Sequence, residues 1–187
     1  MKKIILSAIL VMGLALSANA QENVLYKGGM VANLGVGIPQ MDEGYKPTLP
    51  PISASWEYGV AEFGRPGSIG VGAYVGFWGY KDEASISGLQ SVAHKYFNTV
   101  IGARAAYHFT LVKGWEIYAG GVLGAKIKSE KLEADGVFTG SSDAEVEVGF
   151  GYQAFAGTRF LFSDSVGAFV EAGYGVSYAT AGLTFRF

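Results

Sequence analysis

The final ten residues of the chain, 178–187, constrain its fold more than any other segment, because apolar and polar positions alternate along them. Successive side chains of a strand point to opposite sides. One side carries Ala179, Ala181, Leu183, Phe185 and Phe187, and the other carries Tyr178, Thr180, Gly182, Thr184 and Arg186. The segment therefore predicts a strand with one apolar face. Such a strand suits either a soluble sandwich or a barrel whose outside meets lipid.

The first twenty residues have the pattern of a cleavable signal peptide. Lys2 and Lys3 precede an apolar run at 4–16, and Ala18 and Ala20 form a small-x-small cleavage site. The run is too short for a membrane-spanning helix. We therefore predict removal of residues 1–20, and a single exported domain over 21–187.

Eight segments of the mature chain show period-two alternation bounded by turn residues. They cover 26–38, 51–62, 68–80, 94–109, 115–128, 145–162, 166–175 and 178–187. The connections after the second, fourth and sixth segments are short, whereas those after the first, third and fifth are longer and more polar: 39–50, 81–93 and 129–144. Short turns at one end and long loops at the other are typical of bacterial outer-membrane barrels.

Every charge in the middle of a strand falls on one face. Strands of a soluble barrel would place charges outside and apolar residues inside, but an Arg or Lys on the lipid face at mid-bilayer costs about 2–4 kcal/mol. The charged face must therefore be the inner one, and aromatic residues near the strand ends fit the two membrane interfaces. We predict an all-β protein: an eight-stranded, antiparallel, up-and-down transmembrane β-barrel in the lipid of the bacterial outer membrane.

An eight-stranded barrel is only wide enough for side chains to fill its interior. We expect a buried polar network in the lumen, with Arg159 and Glu171 within reach of each other on a cross-strand diagonal. The predicted members are Glu57, Arg104, Glu116, Arg159, Glu171 and Arg186. The network would close and stiffen the barrel, or alternatively act as a narrow porin-like gate for water, ions or small solutes.

Several functions find little support in the composition. The chain has no cysteine and a net charge of −2, which argue against thiol chemistry and a nucleic-acid surface. His94 follows Asp82, Ser85, Ser87 and Ser91, but no fixed spacing supports a catalytic triad. We predict no catalytic residue, cofactor or metal, and a lipid-modifying enzyme is the third alternative.

The signal peptide, the alternating strands, Gly-Tyr-Gly at 173–175 and the closing Ala-Gly-Leu-Thr-Phe-Arg-Phe at 181–187 resemble the small OmpA/OmpX-type, porin-like outer-membrane β-barrel family. The resemblance covers the whole mature chain. It implies that Leu183, Phe185 and Phe187 form the signal read by the barrel-assembly machinery.

The expected role is structural or a surface interaction through the extracellular loops, without catalysis, by a monomer. The loop at 129–144 is the longest and most charged, and loops on a rigid scaffold often carry recognition. It is the candidate site for an extracellular partner. A hydrophilic loop that only faces water and lipopolysaccharide fits the same residues.

Overall fold

The computed structural model describes residues 23–40, 46–63, 66–86, 90–136, 140–141 and 145–187. The predicted signal peptide and its cleavage site lie outside this part of the chain. The described residues form nine strands, of which β6 has only two residues: β1 Met30–Pro39, β2 Lys46–Glu62, β3 Gly67–Ile86, β4 Gln90–Val112, β5 Trp115–Gly136, β6 Gly140–Ser141, β7 Glu145–Leu161, β8 Val166–Tyr174 and β9 Ser177–Arg186. Among the same residues, no helix is long and apolar enough to cross a membrane.

Eight of these strands close into a barrel. Each strand pairs antiparallel with the next along the chain, except that β5 pairs with β7 as well as with the short β6, and β9 returns to pair with β1. In the closing pair, Leu34 lies opposite Leu183 and Ala32 lies opposite Phe185. The predicted eight-stranded up-and-down barrel is confirmed.

Alternation along the strands separates an apolar outside from a polar inside. Leu34, Ile101, Leu123, Phe150 and Val170 point outward and are between 53% and 70% exposed. The charged side chains of the strand centres are buried inside instead. Apolar residues around the outside and charges within are the arrangement that lipid requires, so the barrel is an outer-membrane protein.

The strands extend further outward than the alternation predicts. The pairing of β3 with β4 continues from Lys81 opposite Lys95 to Ile86 opposite Gln90, and β5 pairs with β4 as far as Gly136. Much of the predicted loops 81–93 and 129–144 is therefore strand, because ladder hydrogen bonds do not depend on an apolar face. The tips at 87–89, 137–139 and 142–144 lie outside the described residues.

The start of the first strand also differs from the prediction. The strand begins at Met30 rather than at residue 26, because residues 26–29 form a turn in which Gly29 N donates to Tyr26 O at 3.0 Å. Gly28 has a φ of 92°, a conformation that glycine adopts without steric cost. This turn directs residues 23–25 back toward the interior at the end where the short connections lie.

Candidate functional site in the barrel interior

A guanidinium at the centre of the lumen joins two carboxylates from different strands. Arg104 of β4 donates from Nε to Glu57 Oε1 at 3.0 Å, and from its two terminal nitrogens to both oxygens of Glu171 at 2.6 and 3.3 Å. The three side chains are no more than 5% exposed. The planar guanidinium fork suits this geometry, because it donates in two directions at once. The cluster ties β2, β4 and β8 together across the lumen.

A second cluster lies against the first and shares Glu57 with it. His108 Nδ1 is 3.0 Å from Glu116 Oε1, and its Nε2 is 3.1 Å from Glu57 Oε2. Arg159 also donates to Glu116, and its other terminal nitrogen is 3.2 Å from Asn33 Oδ1. Only imidazolium can donate through both ring nitrogens. With His108 in that form, three cationic groups balance three buried carboxylates.

The structure brings five of the six predicted lumen residues together but separates the sixth. Arg186 lies at the rim with the short turns, where its Nε donates to the backbone oxygen of Asp164 at 2.8 Å. It is the last residue of β9, and its side chain is only partly buried. Placing Arg186 in the lumen network was therefore wrong.

Arg159 and Glu171 lie on the predicted cross-strand diagonal, since Arg159 is opposite Phe169, but each of them bonds to another residue. Arg159 lies directly opposite Glu116 in the β5–β7 register and bonds to it, whereas Glu171 bonds to Arg104 and to the hydroxyl of Tyr118 at 3.0 Å. A direct cross-strand neighbour is closer than a diagonal one. His108 and Tyr118 were not among the predicted members, although the alternation places both on the inner face.

Residues 23–25 fill the mouth of the barrel at the end with the short turns. Val24 and Leu25 are at most 1% exposed. Val24 N donates to Thr110 Oγ1 at 3.2 Å, and Ser68 Oγ donates to Leu25 O at 2.5 Å. We call this stretch the N-terminal plug. No feature of the alternation identifies it, because Val24 and Tyr26 continue the period of the first strand.

The plug lies directly against the charged clusters. A Cβ added at Gly70 would lie within 3.1 Å of Leu25, Glu57 and His108. The absence of a side chain at Gly70 therefore gives these three side chains room to pack together. A side chain at Gly59 would overlap the carbonyl of Tyr26. Small inward residues thus let the returning chain pack inside the barrel.

Apolar and aromatic side chains form the next layer outward in the lumen. This layer packs Tyr74, Trp78, Val100, Ala106, Tyr118, Val122, Phe155 and Val176 together. The Phe155 ring is 3.7 Å from the Arg104 guanidinium carbon, a distance at which the ring face attracts the cation. The layer supports the charged clusters and fills the middle of the barrel.

Basic and aromatic residues surround the outer mouth. Lys126 Nζ lies 5.4 Å from the Trp78 ring centre, and Lys128 Nζ lies 4.6 Å from that of Tyr96. His94 Nδ1 is 2.9 Å from Glu130 Oε1, and this hydrogen bond lowers the pKa of Glu130. His94 thus has an acidic partner on β5. The side chains of Ser85 and Ser91, and the whole of Ser87, lie outside the described residues.

The interior has the chemistry of a closed, stiffened barrel. In the described part of the chain, no three His, Asp or Glu residues are grouped so that they could hold a metal ion. The buried charges neutralise one another, and the plug covers them from one end. An apolar exterior around this filled, charged interior defines an integral outer-membrane protein that is an eight-stranded β-barrel.

No protein-family model and no curated protein matches the sequence. Solved structures similar to this chain include Ail, the attachment invasion locus protein of Yersinia pestis, in complex with the heparin analogue sucrose octasulfate. That match has 12% identity and a TM-score of 0.48, and covers 86% of this chain and 99% of that one. A second Ail structure matches at 17% identity, with coverages of 86% and 99% and a TM-score of 0.43. The N-terminal β-barrel domain of Pseudomonas aeruginosa OprF matches at 13% identity, with coverages of 86% and 98% and a TM-score of 0.42.

Proposed function

We propose that this outer-membrane barrel is a non-enzymatic surface-interaction protein that binds an extracellular partner along the outer part of β7. The observation that carries the proposal is an open strand edge at residues 145–153. β5 pairs with β7 from Glu130 opposite Glu145 down to Trp115 opposite Phe160. β8 pairs with β7 only over residues 154–161, so one side of 145–153 has no β8 partner. We call this stretch the open edge.

The open edge has the properties of a strand-addition site. Residues 145–150 are exposed on both faces, with Val148 at 68% and Phe150 at 70%. An unpaired edge offers backbone donors and acceptors to an incoming strand, and side chains at alternate positions supply specificity. The hydrogen-bonded ladder to β5, β4 and β3 holds the edge in place. A partner would thus meet a preformed surface rather than a loop that must first be ordered.

The open edge also gives the predicted partner loop at 129–144 a more specific role. That segment begins in the outer part of β5, which pairs with the start of β7. We infer that it supports the open edge, and that its own charges attract the partner electrostatically. Neither the narrow-pore alternative nor the enzyme alternative draws support from this edge.

Replacing Val146 and Val148 together with lysine should reduce adhesion of cells that display the protein by about tenfold, which corresponds to about 1.4 kcal/mol of binding free energy. Lysine on an edge strand discourages the addition of another strand. The measurement is retention of the cells on a panel of immobilised extracellular proteins, compared with cells that display the unchanged barrel.

The matched control replaces the same two valines with threonine, which keeps the β-branched shape without adding charge. It should retain most of the adhesion, and both variants should show the heat-modifiable gel mobility of an assembled barrel. Equal adhesion by the lysine variant and the unchanged protein would contradict the open edge as the binding surface.

We propose that Leu183, Phe185 and Phe187 carry the assembly signal, with Phe187 as its main element. Phe187→Ala should lower the assembled fraction in the outer membrane severalfold. Phe187 pairs through its backbone with Met30 at 2.9 and 3.2 Å, and its ring is exposed, so the truncation leaves the closing hydrogen bonds in place. Heat-modifiable mobility of membrane fractions measures the assembled fraction.

The control is Phe162→Ala, which removes another exposed ring at the same rim but away from the C-terminus. It should assemble nearly as well as the unchanged chain. If both alanine variants lose assembly equally, the rings act as interface anchors, and the special role of Phe187 fails.

A further inference from the structure

A cavity of 170 Å³ opens in the barrel wall where β8 ends and the open edge begins. Its lining mixes residues from both surfaces of the barrel. Val100 and Lys126 belong to the inner face, whereas Phe150, Tyr152 and Tyr174 belong to the outer face. The cavity therefore connects the lumen with the surroundings of the barrel through the gap beside β7.

Lys126 gives the cavity a positive charge. Its Nζ lies 5.4 Å from the Trp78 ring centre. The ion pairs among the described residues do not include Lys126. Gly149 lies opposite Lys126 on β7, and a Cβ added there would meet no atom within 4 Å. The side-chain position directly across from Lys126 is thus open, and an anion could occupy it.

Two buried amides beside the cavity have unused hydrogen-bonding atoms. Both side-chain polar atoms of Asn98 and the Oε1 of Gln153 are buried without a partner. Asn98 is two positions from Val100 on β4, and Gln153 is two positions from Gly151 on β7, and both of these neighbours line the cavity. Buried polar groups normally have a partner, so these unpaired amides make the part of the lumen next to the cavity polar, although neither amide lines the cavity itself.

The outer lining indicates that such an anion comes from the membrane. Phe150, Tyr152 and Tyr174 are each at least 49% exposed, and the rings of Tyr152 and Tyr174 are 6.3 Å apart. β8 spans nine residues and ends at Tyr174, about the length that a membrane-spanning strand requires. Tyrosines at that level belong to the outer interface, where lipid headgroups lie. The entrance therefore faces lipid headgroups.

We propose that the cavity binds the phosphate headgroup of an acidic lipid of the surrounding membrane, which enters sideways between β7 and the β8–β9 turn. Lys126 neutralises the phosphate, and the exposed rings contact the start of the lipid chain. The volume is about that of five or six water molecules, which fits a headgroup rather than a whole lipid. Gln40 closes the cavity below by accepting from Gly175 N at 3.1 Å and donating to Gly173 O at 3.3 Å.

The test is photocrosslinking in phosphatidylcholine nanodiscs that contain a trace of lipid with a photoreactive group near its headgroup. Photoreactive phosphatidic acid should label the peptides that contain Phe150, Tyr152 or Tyr174 about tenfold more than photoreactive phosphatidylcholine. This ratio corresponds to about 1.4 kcal/mol of binding free energy. Lys126→Gln should make the labelling by the two lipids nearly equal. Lys126→Arg should keep the preference, because it keeps the charge.

The matched control is Lys113→Gln, which removes an exposed lysine from the β4–β5 turn at the opposite end of the barrel. Its labelling should match that of the unchanged protein, and all variants should retain heat-modifiable mobility. An unchanged lipid preference in Lys126→Gln would overturn the proposal. Equal labelling of the unchanged protein by the two photoreactive lipids would also overturn it, because the cavity would then not select an acidic headgroup.

Discussion

Replacing Arg104 with methionine should lower the free energy of unfolding of the barrel by about 3–5 kcal/mol, the usual cost of removing one partner from a buried ion pair. Methionine fills much of the same space without charge. Glu171 would keep its hydrogen bond from the Tyr118 hydroxyl, and Glu57 would keep its hydrogen bond with His108. Glu57 and Glu171 would nevertheless lose the cation that lies between them in the centre of the lumen. Urea unfolding in lipid vesicles, followed by tryptophan fluorescence and gel mobility, measures the loss.

A compensated variant separates the charge effect from packing. Arg104→Met combined with Glu171→Gln removes one cation and one carboxylate, so the remaining buried charges still balance, and it should recover at least half of the lost stability. Lys113→Gln, in an exposed turn, serves as the surface control. An unfolding midpoint for Arg104→Met equal to that of the surface control would contradict a structural role for the central cluster.

The alternation predicted the faces of the strands well, because a side-chain period of two is a local property of the backbone. Glu57, Arg104 and Glu171 are buried on the inner face, as the cost of a charge in lipid requires. The hydrogen-bond partners of these residues could not be predicted from the alternation. Arg104 and Glu171 are 67 positions apart and meet across the lumen, and that meeting depends on strand tilt and register. A sequence pattern contains neither quantity.

Two further features were not predicted, because in each of them the apolar–polar alternation and the actual structure disagree. The outer strands continue without an apolar face, since in water the backbone ladder is enough to extend a paired hairpin. The N-terminal plug continues the period of a strand, but it turns at Gly28 and enters the lumen instead. Only the packing of Leu25 beside Gly70 and His108 distinguishes it from a first strand.

Replacing Val24 and Leu25 with glycine should release the N-terminal plug from the mouth of the barrel. The two buried side chains contribute about 3–6 kcal/mol to holding it there. Losing even 3 kcal/mol corresponds to an increase on the order of a hundredfold in the ratio of open to closed mouths. The chain has no cysteine, so Ser68→Cys creates a single thiol beneath the plug. Its rate of labelling by a water-soluble maleimide reports the open population.

The glycine pair should therefore increase labelling of the Ser68→Cys thiol on the order of a hundredfold. The control is Ser163→Cys, at an exposed position on the same rim, which should react equally fast with or without the glycine pair. Slow labelling of the Ser68→Cys variant when it carries the glycine pair would contradict the plug.

The charged clusters still fill the lumen behind the plug, so the glycine pair alone should conduct no more than the unchanged barrel in planar bilayers. Adding Arg159→Ala and Glu171→Ala should still leave the barrel closed, because the apolar layer that includes Val122 and Phe155 fills the lumen beyond the clusters. Conduction by the glycine pair alone would contradict closure by the clusters.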